Sequence, residues 1–176
     1  MTGQIETVET IEAWAVPTFG PSPNLLVPLA RAGMELAELI TRCAAPVIDS
    51  NGVALEAADV GICLCRPASM LKVKIDFNIP PPVYVGRPIV PALAANGHLE
   101  MLMTRVAVTS PGMEPLSEPA AIGYLLLIFD KLHAVCATVQ ANLGEAISAK
   151  MVINRARKWR SIGDGIGEHI KEGESA

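Results

Sequence analysis

Apolar and polar positions alternate along this chain with two different periods, and the change of period marks its elements. Between Pro28 and Cys43 the polar residues Arg31, Glu35, Glu38 and Arg42 fall at i, i+4, i+7 and i+11, with Leu29, Ala32, Gly33, Leu36, Ile40 and Cys43 between them. That spacing predicts an amphipathic helix over about 25–44, with one wet face and one dry face. Pro46 ends it, because its ring removes a donor and disfavours a helical residue before it.

From Met70 to Ile79 the period becomes two: Leu71, Val73, Ile75, Phe77 and Ile79 alternate with Lys72, Lys74, Asp76 and Asn78. A strand with one covered face follows from that pattern. Val60 to Cys65 reads as a short buried strand and Val83 to Val85 as an edge segment. Residues 89–95 and 98–109 read as hairpin arms around Asn96-Gly97, with a helix beginning at Pro91 as the competing assignment. Asp49-Ser50-Asn51-Gly52 reads as a tight turn. A calcium loop framed on it is excluded, since Val47 and Ala58 would occupy ligand positions that need oxygen.

Ser117-Glu118-Pro119 carries the marks of a helix start: a hydroxyl cap, a first-turn acid and a proline whose missing N–H does no harm. The stretch then runs to Arg160. As one helix it would span roughly 65 Å, against a radius of gyration of about 16 Å for a compact chain of this length. It must therefore break, with Gly144 the expected joint, or reach outside its own domain. Counting from Pro119, the uncharged run before Asp130 and Lys131 falls short of a membrane span.

The expected fold is α+β. A small, mainly antiparallel sheet at about 60–109 is covered by the helix at 25–44 and by the long helix at 118–160. Residues 1–24 read as an extended arm and 161–176 as a polar, glycine-containing tail, flanking a single domain.

Composition adds an expectation about use. With 51% hydrophobic and 18% charged residues, the chain has less water-facing chemistry than an ordinary soluble monomer. Residues 1–60 hold eight acidic and two basic side chains, whereas 61–176 hold ten acidic and twelve basic. The stripe Glu6, Glu9 and Glu12 and the cluster Arg155, Arg157, Lys158, Trp159 and Arg160 are thus complementary, and Trp14 and Phe19 in the proline-rich arm need somewhere to dock. The net charge of −4 argues against general nucleic-acid binding.

These features point to a non-enzymatic structural subunit of a multi-subunit assembly, such as a particle, tube, ring or phage-type virion component. Its arm, long helix and basic end would contact copies of itself or other subunits. No secretory signal is visible, so a cytoplasmic setting is expected, with incorporation into a particle as a variant of it.

The alternative is a small cytosolic enzyme or ligand-binding domain with a pocket between sheet and long helix near Asp130 and His133. Asp130, His133 and Cys136 share only a broad helix face, which fits a satisfied histidine and a buried thiol better than it fits catalysis. Ser69-x-x-Lys72 lacks the helix start that a serine nucleophile needs. Gly163-Asp164-Gly165-Ile166-Gly167 has Glu168 where a dinucleotide loop needs glycine, and reads as a helix stop followed by tail. Cys43, Cys63, Cys65 and Cys136 lack zinc-site spacing, and His98 and His169 stand alone. Neither a cofactor nor a metal is expected.

Overall fold

The computed structural model describes residues 6–80, 84–107 and 117–170. Six helices and one small two-stranded antiparallel sheet are formed among the described residues, an arrangement that is α+β only in the broad sense. They are α1 (Val8–Phe19), α2 (Leu26–Ala44), α3 (Ser50–Met70), α4 (Ile89–Ala107), α5 (Glu118–Thr138), α6 (Leu143–Ala156), β1 (Trp159–Gly163) and β2 (Ile166–His169).

α3 is the element the others pack on, touching α1, α2, α5 and α6, while α4 lies against α2 and α5. Its composition explains the role. Ala54, Ala57, Ala58, Gly61 and Ala68 are all buried and let neighbours come close. A methyl group on Gly61 would sit 3.1 Å from Ile147 of α6.

Several expectations are corrected here. No sheet lies at 60–109 among the described residues, because 50–70 and 89–107 are helical. Asp49-Ser50-Asn51-Gly52 opens α3, with the Asp49 carboxylate accepting the Gly52 N–H at 3.0 Å, so an N-cap outcompetes the turn. Asn96-Gly97 lies inside α4, as in the competing helical assignment.

The alternation at 70–79 survives as sidedness alone. Phe77 is buried and Leu71, Val73 and Ile75 half-buried, while Lys72, Lys74, Asp76 and Asn78 face out. No described strand pairs with that segment. The expected edge segment at 83–85 falls partly outside the described residues.

The long helix does break, one turn before Gly144. Gln140 adopts φ 58°, its N–H bonds Ala137 O at 3.1 Å, and the Ala141 N–H reaches Cys136 O at 2.9 Å. This is a Schellman stop, after which Asn142 caps α6 by accepting the Glu145 N–H at 3.1 Å. α3 ends the same way through Lys72, φ 55°. Gly144 serves another purpose: a methyl group there would lie 2.7 Å from the Phe77 carbonyl oxygen, so its absence lets the 71–80 segment cross the start of α6.

α5 has the length and apolarity to cross a membrane, because helix continues past Asp130 and Lys131. Half of that window is buried inside the fold, where α5 meets α3 and α4. Core helices meet the same criteria by length and composition alone.

Both ends of the chain also depart from expectation. The arm contains α1, capped reciprocally by Thr7 and Thr10. The glycine-rich stretch forms the β1–β2 hairpin, turning through Asp164 (φ 55°) and Gly165 (φ 77°).

Candidate functional site

α1, α2, α3, α6 and the hairpin enclose a cavity of about 430 Å³. Its first wall is acidic. Glu35 and Glu38 stand three residues apart on α2, Glu56 and Asp59 three apart on the facing α3, and all four line the cavity. Single carboxylate oxygens of Glu35, Glu38 and Glu56 lie within 4.8 Å of one another. Two oxygens bound to one hard divalent cation are separated by at most about 4–5 Å, so the three side chains could share such an ion with little adjustment.

Electrostatics mark the same wall. Burial lifts the Glu35 carboxyl above its usual range; the Arg31 guanidinium pulls it back, while Asp59, Glu38 and Glu56 push it further up. Burial likewise raises Asp59, opposed by its ion pair with Lys150 of α6. Arg42 Nε holds Glu56 from the outer side at 3.1 Å.

The second wall is cationic. Lys150 and Arg157 line it from α6 and its C-cap, and Arg66 lines it from α3. Arg66 Nε lies 2.6 Å from Glu12 of α1 without hydrogen-bond alignment, and its Nη1 donates to Gly20 O at 3.2 Å.

The third wall is aromatic. Trp14 and Phe19 from α1 meet Trp159 of β1 edge to face, with centroids 5.2 Å apart for Trp14 and Phe19, 6.0 Å for Trp14 and Trp159, and 5.2 Å for Phe19 and Trp159. His169 flanks Trp159 at 6.1 Å. Gly167 is required here, because a methyl group would fall 2.3 Å from the Phe19 ring.

The residues expected to bind partners are thus divided. Trp14, Phe19, Arg157 and Trp159 line the cavity together with Glu12. Glu6 and Arg155 join each other in the same chain, through Nη1–Oε1 at 2.5 Å and Nη2–Oε2 at 3.0 Å. Arg160 pairs with Glu168 across the hairpin, and Glu9 and Lys158 are exposed.

Asp130, His133 and Cys136 do not line this cavity. Asp130 is exposed beside Lys131 at 2.7 Å, His133 is buried, and burial pushes the Cys136 thiol up to about 12. Cys63 does line the cavity, but burial, with Glu35 adding to it, pushes its thiol up to about 12 as well, which leaves it protonated at neutral pH.

Glu35 and Glu38 were visible in the sequence only as a wet helix face, and Glu56 and Asp59 were hidden by the strand expected beside them. The signal that would have found them is repetition: an acid pair at i, i+3 on each of two consecutive helices. Comparisons with protein-family models, with curated proteins and with solved structures return no match.

Proposed function

We propose that the chain is a divalent-cation-dependent hydrolase of nucleoside polyphosphates. One observation carries this reading: a single cavity presents four carboxylates from α2 and α3, cations from α6, and an aromatic corner. Oxygen-only ligand sets suit hard cations such as magnesium or manganese. Lys150 and Arg157 suit the remaining phosphate charge. The aromatic corner suits a ring that gains by stacking and edge contacts.

In the reaction a water oxygen bonds to phosphorus as the anhydride P–O bond breaks, and the leaving phosphate departs with the bond electrons. A carboxylate of the cluster accepts the water proton, a task for which raised proton affinity is suited. Asp59, which stands outside the trio that would hold the cation, has that property. A bound divalent cation supplies charge neutralisation on the phosphate oxygens.

The test is incubation of the purified protein with the common nucleoside triphosphates and magnesium or manganese, with products separated by ion exchange. Turnover that is abolished by chelator is expected. Absence of turnover with every triphosphate and both metals overturns the reading.

Assembly into a larger particle stands as a second reading, compatible with the first. Exposed apolar side chains on α4 and α5, among them Val90, Leu93, Met101, Leu126 and Leu127, favour it. The pairing of Glu6 with Arg155 inside one chain removes the charge asymmetry at those two residues as its support. Light scattering at graded concentrations tests it: a defined oligomer supports self-association and a monomer throughout sinks it.

A further inference from the structure

Asn154 stands one helical turn after Lys150 on the same face of α6. The residue belongs to the cavity lining and keeps only 5% of its exposure, and its Oδ1, with less than 1 Å² of accessible surface, has no hydrogen-bond partner among the described residues. Buried amide oxygens without a partner are uncommon, because the hydration they lose is not replaced. The backbone carbonyl of the same residue accepts the Trp159 indole N–H at 2.7 Å. Asn154 therefore both carries an unpaired acceptor at the cavity wall and anchors the ring that heads the aromatic corner.

The order of groups along α6 gives the cavity a direction. Lys150 meets Asp59 at the acidic end, Asn154 follows about 6 Å further along the axis, and the hairpin begins just beyond at Trp159. A ligand with phosphates at one end and a ring at the other matches that order.

We propose that Asn154, with Trp159 and His169 of the hairpin, forms the base-reading slot of the cavity, the Asn154 amide turning so that its unpaired Oδ1 accepts an N–H from the heterocycle. This rests on the nucleotide reading above and adds the group that selects the base. The phosphate-handling elements α2, α3 and the middle of α6 are separate from it, so recognition of the ring and handling of the phosphates divide along the chain.

The experiment compares nucleoside triphosphates with inorganic tripolyphosphate, which has the anhydride bonds but no ring. Asn154→Ala is expected to raise KM for the preferred nucleotide about 10-fold, the loss of roughly one hydrogen bond. It should flatten the ranking of the four bases and leave kcat and tripolyphosphate hydrolysis within about twofold. An equal change for tripolyphosphate, or no change for any nucleotide, overturns the slot while leaving the hydrolase intact.

Thermal melting checks that the variant folds. If it does not, His169→Ala on the exposed rim carries the same comparison, with a smaller nucleotide-only rise in KM expected and an unchanged KM counting against the slot. If the wild-type protein turns over neither substrate, the hydrolase reading fails separately. The slot is then tested by titrating phosphate-free nucleosides against tryptophan fluorescence: saturable quenching, weakened in the variant, supports it, and no quenching overturns it.

Discussion

The two sides of α3 are built to different rules. Toward α5, and on through α4, the buried positions include Leu99, Leu102, Leu125, Ile128, Leu132 and Val135, with the His133 imidazole and the Cys136 thiol among them. Toward α1, α2 and α6, the side chains of Glu35, Asp59, Lys150 and Arg66 keep only 10%, 15%, 13% and 11% of their exposure. Charges withdrawn from water are costly unless paired. Here they are paired, and they surround a cavity. The first side is organised for stability; the second accepts that cost where chemistry can use the charges.

The sharpest way to break this comparison is to exchange effects between the two sides. Glu38→Gln removes one carboxylate charge from the cluster and should lower turnover by on the order of 100-fold or more. The midpoint of urea unfolding should hardly move or should rise slightly as carboxylate repulsion is relieved. A large loss of stability with activity retained would mean that the acids are structural. The mirror experiment is Leu125→Ala in the dry core, expected to cost about 2–5 kcal/mol of stability while the folded fraction keeps its KM.

Gly144→Ala should cost about 1–3 kcal/mol, since its methyl group must push the Phe77 carbonyl away. A neutral result would show that the 71–80 segment is free to shift.

A smaller effect separates the sides by pH. Burial holds the His133 imidazole below its usual value of 6.5, against the opposing pull of the Asp76 backbone and the Asp130 and Asp76 carboxylates. The unfolded chain then binds the proton more readily than the folded one. The resulting contribution is fully present above pH 6.5 and declines as pH falls toward the folded value. His133→Gln should flatten the stability profile below pH 6.5, and an unchanged slope would exclude the residue as its source. Smallest of all, Leu126→Ser on the exposed face of α5 should change monomer stability by less than about 0.5 kcal/mol, and any larger change would show that this face is covered.

Much of the helical framework was legible. α2 begins one residue inside its expected range, and Ser117-Glu118-Pro119 does start α5. The strands failed for a definable reason: period two reports which side chains face inward, whereas a strand also needs a partner, and 71–80 has none among the described residues. The hairpin signal Asp164-Gly165, flanked by Ile162 and Ile166, was present in the sequence and was outweighed by the glycines around it. The acids were misread because a groove between helices and open solvent impose the same helical period. Only the folded arrangement distinguishes a wet face turned outward from one turned toward a cavity.

The cavity's walls also differ in when they can exist. The Phe19 carbonyl accepts from Ser161 across 142 residues, and Glu6 from Arg155 across 149. At ribosomal rates of about 5–20 residues per second, the first member of each pair waits roughly seven to thirty seconds for the second. For most of that interval, from Asp59 onward, the acids of α2 and α3 are already synthesised while the hairpin is not. A nascent chain thus holds its carboxylates before it holds the aromatic hairpin that forms the facing wall of the cavity.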